Sequence, residues 1–232
     1  MAAAPSLIER SAQFGREMRA LVRQGRLMSG PGLATSLPRA DRAVLFVHGF
    51  MAAGAVFDPM RAHVEASSAV ETLKLTYGPL ERFEEIAARL GSLVRLASRG
   101  RPVTIVGHSL GGILARWYVQ ELGGALDHGG PVDRLLTLAS PHAGTRSARF
   151  APGSLGAALR PGSTVIQTLR DGRQRVPSVK HIAVVAGRDR MISPPMSAAE
   201  IEDAELHVFD DLGHNEALFD PRVLDLVARS VR

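Results

Sequence analysis

The chain has 232 residues, a formal net charge of +5 and no cysteine. This length suits one α/β domain with a buried core, and the missing cysteines exclude disulfides, thiolate metal sites and cysteine nucleophiles. The positive charge comes from scattered arginines, because Lys74 and Lys180 are the only lysines. We therefore expect no nucleic-acid partner. No apolar run reaches the ~20 residues of a spanning helix, and Glu9 and Arg10 interrupt any signal-peptide core, which predicts a cytoplasmic protein.

Residues 1–42 are predicted to form an N-terminal helix and connector, with the helix over residues 6–26. One side of this helix is apolar and consists of Leu7, Phe14, Met18, Leu21 and Val22. Two interpretations remain open. The helix packs its apolar side on the flank of the core, or it is a basic amphipathic helix in weak, peripheral contact with a membrane surface.

Apolar runs and helical patterns alternate from residue 43 to residue 232, which predicts a single domain of βα units. The strands are expected at Ala43–Val47, Val70–Tyr77, Val103–Val106, Leu135–Leu138, His181–Ala186 and Glu205–Phe209, and the main helices near 57–66 and at 81–98, 110–122 and 221–231. The fold class is therefore α/β, with a mostly parallel sheet of about six strands and helices on both faces. Functional groups of such a sheet gather where the carboxyl ends of the strands meet.

Residues 142–178 interrupt this alternation with a segment that is too long for a simple crossover helix. We keep two interpretations, a lid or substrate-binding wall and a plain surface excursion with short helices. The candidate substrate contacts are Phe150, Leu155 and Leu159 from this segment, together with Met51 after the first strand.

Gly107 to Gly111 reads G-x-S-x-G between a predicted strand and a predicted helix, which places Ser109 at the apex of a sharp turn. A serine hydroxyl needs a base to act as a nucleophile, and His214 is the best placed of eight histidines because it follows the last strand. Asp189 is the preferred acid, since it lies just past the preceding strand. The chain order Ser109, Asp189, His214 matches one known order of the serine triad.

A tetrahedral intermediate also needs two amide donors for its oxyanion. One is expected from Leu110, the residue after the candidate nucleophile. The other is expected from Phe50, in the loop after the first core strand, with Met51 as the second choice. His48 is predicted to brace this loop rather than to act as a base.

Five segments together resemble the α/β-hydrolase superfamily, and more narrowly the bacterial lipases and esterases. They read VLFVHGF, VGHSLGGILARWYV, LLTLASPHAGT, GRDRMISP and LGHNEALFDPRVLDLV. The resemblance covers about residues 43–231 and implies hydrolysis of an acyl ester or lipid by Ser109, Asp189 and His214. This chain is smaller than the usual members of the superfamily, because residues 1–42 leave no room for the two antiparallel strands that usually begin this fold.

The resemblance carries over no calcium site, and no metal or cofactor is expected. The motifs leave several activities open. A thioesterase, an amidase or an acyltransferase uses the same triad, and a non-catalytic hydrolase-fold protein would bind acyl ligands or partners without turnover. The sequence does not define acyl chain length or oligomeric state.

Overall fold

The structure is a computed structural model that describes residues 12–13, 15–20, 22–23 and 40–232. Its sheet has six strands, all parallel, in the order β2-β1-β3-β4-β5-β6. The strands are β1 (Arg42–Val47), β2 (Val70–Leu75), β3 (Val103–His108), β4 (Val132–Leu138), β5 (Lys180–Ala186) and β6 (Ala204–Phe209). The predicted α/β class and the six predicted strands are confirmed.

Helices cover both faces of the sheet. They are α1 (Asp58–Ser67), α2 (Phe83–Ser98), α3 (Leu110–Glu121), α4 (Gly153–Ala158), α5 (Thr164–Gly172) and α6 (Pro221–Ser230). Short 3-10 helices span Gly54–Phe57, Leu126–His128, Arg146–Phe150, Arg173–Arg175, Pro195–Ala199 and Glu216–Leu218. Within the described residues, no helix is both long and apolar enough to cross a membrane.

The sheet separates two apolar clusters, and β1 contributes to both because alternate side chains of a strand point to opposite faces. Leu45 lies in the cluster formed with α2 and α3, whereas Phe46 lies in the cluster formed with α1 and α6. Both side chains are completely buried. Burying a side chain of this size contributes about 1.5–3 kcal/mol, so β1 anchors the domain from both sides.

The segment 142–178 consists of short helices packed against α2 and α3. Leu155 and Leu159 are buried in the same apolar cluster as α2, and Ile166 and Leu169 of α5 join them. Phe150, by contrast, is 77% exposed. The short helices of the surface-excursion interpretation are present, and movement as a lid stays a prediction.

The described residues 12–13, 15–20 and 22–23 are helical and form what we call the amino-terminal segment. Its buried side chains are Gln13 and Ala20, whereas Met18 and Val22 are 42% and 51% exposed. Met18 and Val22 are therefore not the residues through which the segment contacts the domain, and packing of the predicted 6–26 helix on the flank of the core stays a prediction. The segment lies on loops that offer polar backbone groups, so polar side chains make the contact. Leu7, Phe14, Leu21, the other residues of the predicted 6–26 helix and the connector through residue 39 lie outside the described residues.

Candidate active site

Ser109 lies at the turn between β3 and α3, in a backbone conformation that residues other than glycine rarely adopt. Its φ is 55° and its ψ is −123°, and the residue is 8% exposed. A Cβ on Gly107 would lie 2.5 Å from the Cα of Gly112, and a Cβ on Gly111 would overlap the carbonyl oxygen of Val47. Only glycine fits at these two positions, because the backbone of Gly107 lies against the start of α3 and the backbone of Gly111 lies against the end of β1.

Asp189 and His214 are brought together at the carboxyl ends of β5 and β6. The Nδ1–H of His214 donates to Oδ2 of Asp189 at 2.6 Å, and both side chains are almost completely buried. Oδ1 of Asp189 accepts from the backbone N–H groups of Met191 and Ile192, each at 2.8 Å. Because the carboxylate holds the proton on Nδ1, the Nε2 atom of His214 is left as a proton acceptor.

His108 links the Ser109 turn to the loop of His214. Its Nε2–H donates to the backbone carbonyl of His214 at 3.1 Å, and the centres of the two rings are 4.7 Å apart. Burial lowers the pKa of His108 well below its usual value, so the ring is neutral. His108 occupies a variable position of the G-x-S-x-G pattern, so the sequence gives no signal for this contact.

The amino-terminal segment holds the loops of Asp189 and His214 through polar side chains. Glu17 Oε1 accepts from the backbone N–H of Asn215 at 2.9 Å and from its side-chain amide at 3.0 Å. Gln13 donates to the carbonyl of Arg188 at 2.8 Å. These contacts join residues about 175 to 198 positions apart, and no sequence pattern signalled them.

An ion pair between the amino-terminal segment and Glu216 also fixes this loop. Arg16 contacts Glu216 at 2.8 Å, and Glu216 in turn accepts from the backbone N–H of Gly213 at 2.6 Å. The residues on both sides of His214 are therefore tied by carboxylates. The second oxygen of Glu17, Oε2, is buried and lacks a hydrogen-bond partner among the described residues.

The loop after β1 lies directly against Ser109. A Cβ on Gly49 would lie 3.0 Å from the Cβ of Ser109, so this loop passes the candidate nucleophile at van der Waals distance. Phe50 follows Gly49 and is half-buried, and Leu110 is the first residue of α3. The first N–H groups of a helix have no partner within it, which leaves the Leu110 amide available to a ligand.

His48 braces this loop against the end of β2. Its Nδ1–H donates to the carbonyl of Gly49 at 2.7 Å, and its Nε2 accepts from the backbone N–H of Tyr77 at 3.1 Å. The Tyr77 hydroxyl donates to the His48 carbonyl at 2.5 Å, and the two rings stack with their centres 4.0 Å apart. Burial lowers the pKa of His48 to about 4, so this histidine stays neutral at pH 7.

Ser109, Asp189 and His214 therefore lie at one edge of the sheet, but the expected hydrogen bond between Ser109 and His214 is not formed. Within the described part of the chain, no hydrogen bond joins the Ser109 hydroxyl to the His214 ring. Among the predicted substrate contacts, Met51 and Phe150 are 63% and 77% exposed, whereas Leu155 and Leu159 lie in the core. No group of three His, Asp or Glu residues suited to a metal ion occurs within the described ranges.

Comparison with known proteins identifies both a family and a fold. A family profile described as palmitoyl protein thioesterase matches residues 43–177, and no curated protein sequence matches the chain. Similar solved structures include the mature lipase BlEst2 of Bacillus licheniformis, with 16% identity and a TM-score of 0.65 over 85% of this chain and 96% of that one. Lipase B of Aspergillus fumigatus matches with 14% identity and a TM-score of 0.64, covering 82% of this chain and 52% of that one.

A third similar structure is the Paleococcus ferrophilus monoacylglycerol lipase. It matches with 13% identity and a TM-score of 0.58, and the match covers 82% of this chain and 91% of the lipase. The low identities make these structures evidence for the fold alone. They agree with the six-stranded parallel sheet, and the predicted α/β-hydrolase fold is confirmed.

Proposed function

This chain belongs to the palmitoyl protein thioesterase family, and from this premise we propose that it is a serine hydrolase that cleaves carboxylic esters through an acyl-enzyme. The observation that carries the proposal is the buried 2.6 Å hydrogen bond between His214 and Asp189 at the edge of the sheet that also carries Ser109. The backbone conformation of Ser109 and the glycines beside it are further support.

The proposed reaction begins when Nε2 of His214 takes the proton of the Ser109 hydroxyl and the serine oxygen attacks the ester carbonyl. The Phe50 and Leu110 amides donate to the oxyanion that forms. The imidazolium of His214, stabilised by Asp189, returns its proton to the departing alcohol. A water molecule, deprotonated by His214, then attacks the acyl-enzyme and releases the acid and the Ser109 hydroxyl.

The substrate is proposed to approach along the exposed side chains of Met51 and Phe150. Both are large apolar groups in contact with solvent, and Met51 directly follows the proposed oxyanion donor Phe50. Leu155 and Leu159 would form the packed support behind this surface, because their side chains are already used in the core.

Labelling with a fluorophosphonate, followed by peptide mass spectrometry, tests the nucleophile. We expect the label on Ser109, and we expect the Ser109→Ala variant to lose roughly 10⁶-fold in kcat on p-nitrophenyl butyrate, as in a well-studied serine protease. Asp210→Asn serves as the matched control, because Asp210 also follows β6 and is not expected to take part. Near-normal turnover by Ser109→Ala, or a folded protein with neither label nor turnover, would contradict the proposal.

Hydrolysis of acyl thioesters is the second candidate, and the family match favours it. Both reactions pass through the same acyl-enzyme, so the leaving group distinguishes them. The test compares kcat/KM for p-nitrophenyl esters and coenzyme A thioesters of equal acyl length, from four to sixteen carbons. A preference for the thioester at every length would replace the ester assignment and keep the triad.

A further inference from the structure

A cavity of about 440 Å³ lies between α3, α5 and the loops that follow β4 and β5. Its floor is formed by Arg116, His142 and Arg173, all of which are buried, and its rim by exposed residues that include Arg170, Glu200 and Glu202. Ser109, Asp189 and His214 do not line it. The cavity is therefore separate from the proposed catalytic centre.

The two arginines of the floor make hydrogen bonds to uncharged acceptors. Arg116 donates to the side chains of Gln120 at 3.0 Å and His142 at 3.1 Å, and to the carbonyl of Leu169 at 2.9 Å. Arg173 donates to three backbone carbonyls, those of Glu202, Val176 and Val179, at 3.2, 2.9 and 3.5 Å. Within the described residues, the ion pairs include neither guanidinium.

His142 does not supply the missing negative charge. Burial and the nearby Arg116 charge lower its pKa well below the usual value, so its ring is neutral. The Nδ1 of His142 accepts from Arg116, and its Nε2–H donates to the hydroxyl of Thr137 at 3.0 Å. The ring is held in one tautomer and serves as a neutral acceptor for the guanidinium.

The floor therefore holds two buried positive charges, whereas the carboxylates that line the cavity, Glu200 and Glu202, are exposed at its rim. Burying an ion without a counter-charge is strongly unfavourable. The carboxyl end of α5, which includes Leu169, contributes through the helix dipole only about half an elementary negative charge. Burial lowers the pKa of Arg116 to about 9, and the like charge of Arg173 contributes to this shift. An anion between the two guanidinium groups would offset this cost.

The guanidinium groups also retain donors for such an anion. A guanidinium has five N–H groups. The three hydrogen bonds of Arg116 and the three of Arg173 leave two N–H groups on each without an acceptor among the described residues. A tetrahedral oxyanion with a double negative charge matches four donors and two positive charges better than a single carboxylate does.

We propose that this cavity binds a small phosphate group, supplied as inorganic phosphate or as a soluble phosphate monoester, between Arg116 and Arg173. The cavity volume falls within the range of small-molecule sites, which is roughly 300–1,000 Å³. Arg170 and Glu200 lie exposed on the rim, where their charges should change the affinity. The site is independent of the serine chemistry proposed above.

The test is a titration of the full chain with inorganic phosphate and, separately, with glycerol 1-phosphate, at constant ionic strength set by sodium chloride. Binding is followed by the ring nitrogen shifts of His142 in NMR and by isothermal calorimetry. We expect saturable binding and a shift of the His142 signals. A stronger response to the monoester identifies an organic phosphate as the ligand, and a stronger response to inorganic phosphate identifies the free ion.

Two variants at the rim of the cavity separate an effect on binding from an effect on folding. A folding defect would weaken binding in both, whereas the removed charges should act in opposite directions. Arg170→Gln should weaken phosphate binding, and Glu200→Gln should tighten it, each by about two- to fivefold, as expected for one exposed charge acting on a singly or doubly charged anion through water. Arg229→Gln, an exposed arginine on α6 outside the cavity, should leave the affinity unchanged. The proposal is overturned if binding does not saturate, if the His142 signals do not move, or if the three variants respond alike.

Discussion

The turn that carries Ser109 and the loop that carries His214 meet at one edge of the sheet, but different interactions hold them. In the turn, backbone packs on backbone, and Gly107 and Gly111 make that approach possible. In the loop, side chains from the amino-terminal segment, Glu17 above all, bind the backbone near His214. The first arrangement is local in sequence and rigid, whereas the second depends on residues nearly 200 positions away. Changes in the two regions should therefore have different consequences.

The largest effect on the loop is expected from Asp189→Asn. This change removes the carboxylate that holds the proton on Nδ1 of His214, so the ring would turn its wrong nitrogen to Ser109. We expect a loss in kcat of about 10⁴-fold, as for the equivalent change in a serine protease. The rate is measured on p-nitrophenyl butyrate, and an unchanged melting temperature would show that the fold is retained. A loss below tenfold would remove Asp189 from the proposed triad.

Gly111→Ala tests the turn. The new Cβ would overlap the carbonyl oxygen of Val47, and neither backbone can yield without moving β1 or α3. We expect a loss of about 3 kcal/mol or more in the free energy of unfolding, measured by urea denaturation. Gly78→Ala is the matched control, because a Cβ there meets Glu81 only at 3.5 Å. Equal stability of the two variants would contradict the close packing of the turn.

Acid should destabilise the protein through its buried neutral histidines. His48 has a pKa of about 4 in the folded protein and about 6.5 when unfolded, so unfolding takes up a proton between these values. The stability from its neutral state is fully present above pH 6.5 and is lost as the pH falls towards 4. The shift corresponds to about 3 kcal/mol. Urea denaturation from pH 7 to pH 4 measures this loss. The slope of the unfolding free energy against pH gives the number of protons taken up on unfolding, and His48→Gln should lower that number by about one. An identical slope in that variant would contradict the neutral, buried state of His48.

The smallest effect is expected from Glu17→Ala, which removes two hydrogen bonds to Asn215. A charge-assisted hydrogen bond contributes about 1.5–3 kcal/mol to stability. A tenfold change in rate corresponds to about 1.4 kcal/mol in the activation free energy, so losing part of this contribution is enough to slow the reaction tenfold. We expect kcat to fall about tenfold with KM little changed, because the proposed base, His214, moves and the proposed substrate surface does not. Glu17→Gln, which keeps one acceptor oxygen, should recover part of the rate. Arg19→Ala, on the exposed side of the same segment, is the control. Unchanged kcat in Glu17→Ala would show that the loop holds its position alone.

The sequence predicted the features that arise from local patterns. Buried parallel strands are continuous apolar runs, so all six were found, and the order of the strand ends brought Asp189 and His214 to one edge. The catalytic use of these residues stays a prediction. The strands β3 and β4 extend beyond their predicted bounds, because Gly107, His108 and the polar start of β4 pair with neighbouring strands without contributing an apolar pattern.

The remaining features depend on what an element packs against, which periodicity does not report. Met18 and Val22 were assigned to a packing face on hydrophobicity, but the neighbouring surface consists of loop backbone, which polar side chains satisfy better. Their place in an insertion predicts that Leu155 and Leu159 contact the substrate, whereas in the structure both side chains pack in the core. The contacts of His108 and Glu17 require the tertiary structure, because their partners lie 106 and 198 residues away.

The conformation of Ser109 has a consequence for how this protein can change. A non-glycine residue held at φ 55° and ψ −123° costs about 1–3 kcal/mol, which the surrounding packing must offset. Glycine would adopt the same backbone without that cost, so the most stable version of this turn has no hydroxyl at position 109. Thermostability and hydrolytic chemistry therefore compete at a single position. A screen for heat resistance alone would favour variants that have lost the proposed nucleophile.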